Sequence, residues 1–317
     1  MELVRQWTNG RSGETRIHAA PETLSFSHWA RDALIGVETD AGRAVLLSDR
    51  FERMDDAEAG RLLADAAGLP VIRSERPLDG GNILTMGETI LVGADLFDDV
   101  PDRFPDDTGR RLIALGTSRA RTAEALVPSD LLPDGWQEVR RTGVGEGQHQ
   151  PLFHIDLFVS PAGTASDGRP RWLVGCPRLG ADVLGLPLLD HADADLFDAV
   201  AAHLAGSGAE VIRNPQPLFW SDRTDARVRT WHHLPVNNVL AEITASGDAT
   251  VWLPAFGERQ WPELRRVDEA NRDIWQSLGF EVIPVPGCLA LAERRGALRC
   301  MCNVVARDPV LTQSSQV

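Results

Sequence analysis

The chain has 317 residues, 25% charged and 43% hydrophobic, with 28 glycines and 20 prolines; that is too apolar for disorder and too polar for a membrane-spanning chain. Acidic residues outnumber basic ones 46 to 32, and the formal charge of −14 repels phosphate backbones and anionic lipid, which excludes nucleic acid and membranes as partners. There is neither a basic start followed by an apolar run nor a stretch of about 18 uninterrupted apolar residues, so no secretory leader and no transmembrane helix are expected, and a cytoplasmic location is read.

In chain order, residues 33–48 (ALIGVETDAGRAVLLS) read as a hairpin and 56–67 as a helix with acids in its first turn. Residues 82–93, 154–175 and 238–255 repeat the hairpin pattern, and 193–207 and 267–278 repeat the helical one. A final pair of strands is read over 288–305, around Glu293 to Gly296. A short phrase punctuates the series: GLPVIR from Gly68, GWQEVR from Gly135, GAEVIR from Gly208 and GFEVIP from Gly279, at intervals of 67, 73 and 71 residues. Three of the four follow a helical pattern, so each phrase reads as helix, glycine cap, strand.

Four such units plus a fragment predict an α/β (α+β) fold, one domain over 1–308 with a disordered tail over 309–317. A linear stack of these modules would expose two apolar ends, so the units are expected to form a closed propeller-like ring of ββαβ modules with pseudo-fivefold symmetry. The alternative is a two-domain α+β protein in which the phrases recur by chance. In a ring the hairpin starts face a central channel. The glycine-rich GVGEGQ (143–148) reads as a loop that lids this channel, the acidic 95–107 as a solvated loop, and His232 and His233 as residues of the channel mouth or of the core edge.

The polar residues at the hairpin starts are Asp32 in WARD, Asp79 in PLDGGN, His154 and Asp156 in FHIDLF, and Cys300 in LRCMCN. Carboxylates flanking a flat pocket suit a guanidinium, whose planar fork offers five N–H donors and stays charged. A thiolate facing the central carbon of that plane is a competent nucleophile, and the cation favours its ionised form. Without substrate the same carboxylates repel a thiolate, so Cys300 of the free protein is expected to be protonated. His154 suits the protonation of a departing amine and the later deprotonation of water. Asp156, two residues on along an expected strand, shares its face and acts as a clamp.

These residues resemble the guanidino-group-modifying enzymes of the pentein superfamily, which include arginine, agmatine and peptidylarginine deiminases, dimethylarginine hydrolases and amidinotransferases. WARD (29–32) resembles their Trp-x-x-Asp, LDGGN (78–82) their Glu-Gly-Gly-Asp/Asn box, HIDLF (154–158) their His-x-Asp, and GALRCMCNVV (296–305) their nucleophile segment. Asp79 stands where the box often has Glu, and Arg299 where agmatine and peptidylarginine deiminases usually have His.

The resemblance implies a pentein-type α/β propeller in which Cys300 is the nucleophile, His154 the acid and base, Asp32 and Asp156 the guanidinium holders, and Asp79 a support for His154. The implied reaction is deimination of a small-molecule or peptide guanidine to a ureido product. Amidino transfer, dimethylarginine-type hydrolysis and a non-catalytic pentein scaffold are the alternatives. No cofactor is implied. Cys288 with the Cys300–Cys302 pair and His232–His233 lacks zinc-knuckle spacing, so no metal is expected. For a substrate carboxylate, Arg31, Arg213, Arg223 and Arg227 are the candidates.

Overall fold

The computed structural model describes residues 18, 20–94, 109–116, 123–129, 132–142, 149–244, 246–257 and 261–304. The expected loops at 95–107 and 143–148 and the tail over 309–317 lie outside the described residues.

Four three-stranded sheets share one plan. Each begins with an antiparallel hairpin, and its second strand then takes a third strand in parallel. In the first unit β1 (Ile35–Thr39) pairs with β2 (Gly42–Ser48), and β3 (Val71–Ser74) joins β2. The second unit is β4 (Ile83–Met86), β5 (Thr89–Gly93) and β6 (Arg111–Leu115). After an intervening pair, β7 (Ala123–Pro128) and β8 (Gln137–Thr142), the third unit is β9 (Val159–Thr164), β10 (Pro170–Cys176) and β11 (Glu210–Pro215). A second intervening hairpin, β12 (Leu218–Arg223) and β13 (Val228–His233), precedes the fourth unit, β14 (Leu240–Ile243), β15 (Ala249–Pro254) and β16 (Glu281–Val285). A parallel third strand needs a crossover, which is where the helices belong.

The six α-helices among the described residues are α1 (Ala30–Ala33), α2 (Met54–Ala67), α3 (Pro177–Leu184), α4 (Ala194–Gly206), α5 (Arg265–Ser277) and α6 (Leu289–Ala292). Helices α2, α4 and α5 fall within two residues of the sequence reading. Gly68 closes α2 in the left-handed region at φ 68°, as a C-terminal glycine should. Helix α3 was not anticipated, although its signals are present: Pro177 at the first turn and Gly185 at φ 66° just past the end. None of the helices is long and apolar enough to cross a membrane.

Three expectations are corrected. The third strand of the second unit is β6, whereas GWQEVR forms β8 in a separate four-stranded sheet of order β12-β13-β8-β7. The plan therefore occurs four times among the described residues and the fifth sheet departs from it, so a closed fivefold propeller is not what these sheets form. The segment 288–305 is not a strand pair: Leu289–Ala292 is helical and Arg295 turns the chain at φ 65°. Leucine, alanine, glutamate and arginine are strong helix formers, and this local preference prevails over the weak alternation. Lastly, His154 and Asp156 precede the hairpin rather than lying on it, because Ile155–Leu157 is a 3-10 turn.

The units meet at their first strands. Strand β4 packs beside β9, and β9 beside β14, and residues from all of β1, β4, β9 and β14 line one cavity. The principal core joins β5, β6, β9, β10 and α4, with Phe158, Trp172 and Phe197 fully buried. Phe197 of α4 meets Phe158 edge to face at 5.8 Å and so supports the turn that carries His154 and Asp156. We predict that Phe197→Ala costs about 3–5 kcal/mol in urea unfolding; a loss within about 1 kcal/mol would mean that this core does not support the turn.

Candidate active site

Four of the five hairpin-start side chains, Asp32, Asp79, His154 and Cys300, line one open pocket of about 410 Å³, with Trp29 and Phe153 among its apolar walls. Each arrives from a different part of the chain. Asp32 sits on α1, Asp79 caps the 3-10 turn Gly80–Asn82, His154 precedes the second 3-10 turn, and Cys300 lies in the turn after α6. The fifth, Asp156, is fully buried and outside the lining, and its Oδ2 accepts from Arg299 at 2.6 Å.

The glycines of the LDGGN box have a steric reason. A Cβ on Gly80 would lie 2.1 Å from the carbonyl oxygen of Arg31, and one on Gly81 would lie 2.4 Å from His154 Nδ1. Only bare backbone lets α1 and the imidazole approach this closely. Asp79 Oδ1 accepts from the Gly81 N–H at 3.0 Å, which aims Oδ2 at His154 Nε2, 2.9 Å away. Asn82 completes the box by accepting the Ile155 N–H at 3.2 Å and Gln150 Nε2 at 3.1 Å, and so it locks the His154 turn to the second unit.

The Cys300 turn is held from two sides. Asn238, fully buried at the start of the fourth unit, accepts the N–H groups of Cys300 at 3.0 Å and Ala297 at 3.1 Å through its Oδ1. Its backbone carbonyl accepts the Arg299 N–H at 3.1 Å. On the other side the Arg31 N–H donates to the Cys300 carbonyl at 3.0 Å, and Asn303 Nδ2 donates to the carbonyls of Ala30 and Leu34 at the ends of α1. Trp29 covers Gly296, where a Cβ would fall 2.5 Å from the ring.

The electrostatics are unusual. Arg53 Nη2 donates to Asp32 Oδ2 at 2.5 Å, so Asp32 and Asp156 each give one oxygen to an internal guanidinium. The other oxygen of each, Oδ1, is buried without a hydrogen-bond partner among the described residues; the imidazole Nδ1 of His154 stands 3.8 Å from that of Asp32. Buried acceptors are rarely left unsatisfied. Burial and the neighbouring Asp79 raise the Asp32 carboxyl to about 7, against the opposing pull of His154 and Arg53. Burial would lower His154, but the hydrogen bond and charge of Asp79, with Asp156 and Asp32 behind it, raise it to about 9. Burial and the charges of Asp156 and Asp32 push the Cys300 thiol well above its ordinary value, the direction expected for the free protein.

Both shifts act on stability in the same direction, because each folded-state value is raised and the contribution is lost as pH rises. The stabilisation from His154 is complete below its ordinary value of 6.5 and is lost as pH rises through about 9. Asp32 contributes best when protonated, and its contribution declines as pH rises from 3.8 to about 7.

The donor atoms of Asp32, Asp79 and His154 lie within 4.8 Å of one another. Such a set suits a metal ion or an organic cation with several N–H donors. In this arrangement Asp79 and Asp32 favour the protonated imidazole, the form that donates rather than accepts.

Other sequence candidates are placed elsewhere. Arg31 donates to Asn303 and faces the cavity between the first strands, where burial and Arg299 lower it to about 9; it does not line the Cys300 pocket. Arg213 is paired with Asp198, and neither Arg223 nor Arg227 lines that pocket either. Cys302 shares a turn rather than a strand face with Cys300. His232 and His233 line an adjacent cleft that shares Phe153 and Arg295 with the site. Sequence reasoning missed Arg53, Asn238 and the pairing role of Arg299. For Asn238 a signal existed, since it opens a hairpin unit as Asp32 and Asp79 do; for Arg53 none did. We predict that His154 titrates near 9 by NMR and moves down in Asp79→Asn; a native value near 6.5 would contradict the geometry.

No protein-family model matches the chain, and no curated protein matches its sequence. Solved structures do match. An agmatine deiminase from C. jejuni is 12% identical with a TM-score of 0.52, over 87% of this chain and 72% of that one. A chain provisionally named an agmatine deiminase is 13% identical with a TM-score of 0.56, over 86% and 72%. The agmatine deiminase of Enterococcus faecalis is 12% identical with a TM-score of 0.50, over 86% and 73%. In its mixed α/β plan of small sheets, this chain shares the fold of these deiminases.

Proposed function

We propose that the protein hydrolyses a guanidine to a ureido product, with ammonia or an amine released, through a covalent intermediate on Cys300. The observation that carries this reading is the pair of buried carboxylate oxygens without a hydrogen bond, Asp32 Oδ1 and Asp156 Oδ1, on carboxylates whose charges both act on the thiol of Cys300. A guanidinium supplies flat, fixed N–H donors for both oxygens and a positive charge that lets the thiol lose its proton. The fold likeness to agmatine deiminases supports the same reading. A scaffold without chemistry has no use for two unsatisfied acceptors against a buried thiol.

In the proposed sequence substrate binding releases the Cys300 thiol proton to solvent; the thiolate then attacks the guanidinium carbon and forms a C–S bond, and the C=N electron pair moves onto nitrogen. Protonated His154 gives its proton to the departing nitrogen, the C–N bond breaks, and an amidino-thioether cation remains on the sulfur. Neutral His154 then takes a proton from water, whose oxygen adds to the same carbon. Collapse of this second adduct forms the C=O bond as the hydroxyl proton passes to solvent, breaks the C–S bond to return the thiolate, and releases the ureido product, with His154 left protonated. Asp79 keeps His154 protonated for the first half, and Asp32 must be ionised to hold the substrate.

The expected kcat/KM profile is therefore bell-shaped, rising through a limb near pH 7 as Asp32 ionises and falling through one near pH 9 as His154 loses its proton. Arg53→Ala removes a cation that lowers Asp32, so its acid limb is predicted to move to higher pH. A profile flat from pH 6 to 10 would contradict these roles. Ammonia and ureido product are to be assayed with a panel of guanidines in the native protein and in Cys300→Ala. Turnover by the native protein and loss of at least about 10³-fold in the variant is expected. Turnover that survives the substitution overturns the covalent step, and transfer of the amidino group to an added amine in place of hydrolysis overturns the assignment of water.

A further inference from the structure

The rim of the Cys300 pocket carries the opposite charge from its floor. Beside the floor carboxylates Asp32 and Asp79, the lining includes Arg50, Arg294 and Arg295, all exposed, with Glu52 the one acidic side chain among them. Arg295 is directed partly outward, with Nη2 3.4 Å from Glu124. No hydrogen bond or ion pair occupies the guanidinium groups of Arg50 and Arg294 among the described residues. This contrasts with Arg53, Arg61, Arg73, Arg178, Arg213 and Arg229, whose guanidiniums are each spent on a carboxylate. In a chain of net charge −14, two unspent cations at the mouth of a pocket with an acidic floor form a local reversal of the field.

A ligand complementary to both levels is cationic at the end that enters and anionic at the end that stays outside. We infer that the substrate is a guanidine carrying a carboxylate on its tail, held by Arg50 and Arg294, with Glu52 placed to receive an ammonium beside that carboxylate. Arginine-fork recognition of a carboxylate is bidentate and directional, so it selects against a guanidine whose tail ends in an amine. Such a tail would bring a second positive charge up to Arg50 and Arg294. The inference rests on the reading of the floor as a guanidinium site and adds to it the chemistry of the tail. It also sets this chain apart from the agmatine deiminases it resembles in fold, since agmatine has an amine-terminated tail.

L-arginine and agmatine differ by that carboxylate alone, and 4-guanidinobutyrate keeps the carboxylate without the ammonium. The native protein is expected to show kcat/KM for L-arginine at least about tenfold above that for agmatine, the scale of two partly exposed charge-assisted contacts. 4-guanidinobutyrate is expected to lie on the arginine side of agmatine. In the double variant Arg50→Ala, Arg294→Ala the arginine-to-agmatine ratio is expected to fall toward unity. A variant that merely folds poorly lowers both rates and leaves the ratio in place, so an unchanged ratio overturns the assignment to these two residues. Calorimetry with Cys300→Ala separates this inference from the one beneath it. Agmatine bound as tightly as L-arginine, or more tightly, overturns the carboxylate tail and leaves the guanidinium floor standing; no binding of either compound overturns both.

Discussion

Two carboxylates that are each only half satisfied govern the architecture of this site. Asp32 gives one oxygen to Arg53 and Asp156 gives one to Arg299, while the second oxygen of each is buried without a hydrogen bond. Leaving a buried polar group unpaired costs about 1–3 kcal/mol, more for a charge, so the fold must hold both residues against a standing penalty. The internal guanidiniums reduce that penalty without removing it. The charges of both carboxylates act on the thiol of Cys300. They explain why the thiol of the empty site stays protonated: its ionisation would add a third negative charge to a desolvated space.

Side-chain amides do the bracing. Asn82 ties the His154 turn to the second unit, Asn238 ties the Cys300 turn to the fourth, and Asn303 ties the chain beyond Cys300 to α1. A similar chain of amides runs through the buried Asn237, Asn214 and Asn271. An amide offers donor and acceptor at once and carries no charge, so it links backbone segments in a dry interior without adding to the electrostatic load of the carboxylates. The repeated plan of a hairpin plus a parallel third strand supplies the framework. The first strands β4, β9 and β14 pack side by side, and side chains separated by long stretches of chain line one pocket.

Much of this was legible from the sequence because it is local. Hairpins announce themselves by period-two patterning and turn residues, and helices such as α2, α4 and α5 by early acids and a following glycine. The motif residues were legible because chemistry restricts them: few side chains other than Cys300, His154, Asp32 and Asp79 serve a cationic substrate, and the structure places those four together. The failures are non-local except at 288–305. Whether the strand after β5 is GWQEVR or Arg111–Leu115 depends on which run can reach it in parallel, and a recurring phrase does not encode that. The 288–305 segment combines weak alternation with strong helix formers, and the helix formers prevail. The pairing of Asp156 with Arg299 and of Asp32 with Arg53 depends on side chains meeting across 143 and 21 residues, which no spacing rule anticipates.

The most direct test of the central claim is a crystal structure of the Cys300→Ala protein with L-arginine or agmatine bound. The account predicts guanidinium nitrogens within about 2.7–3.2 Å of both Asp32 Oδ1 and Asp156 Oδ1, with the central carbon facing the position of the missing sulfur. A guanidinium bound in the pocket that touches neither oxygen would contradict it.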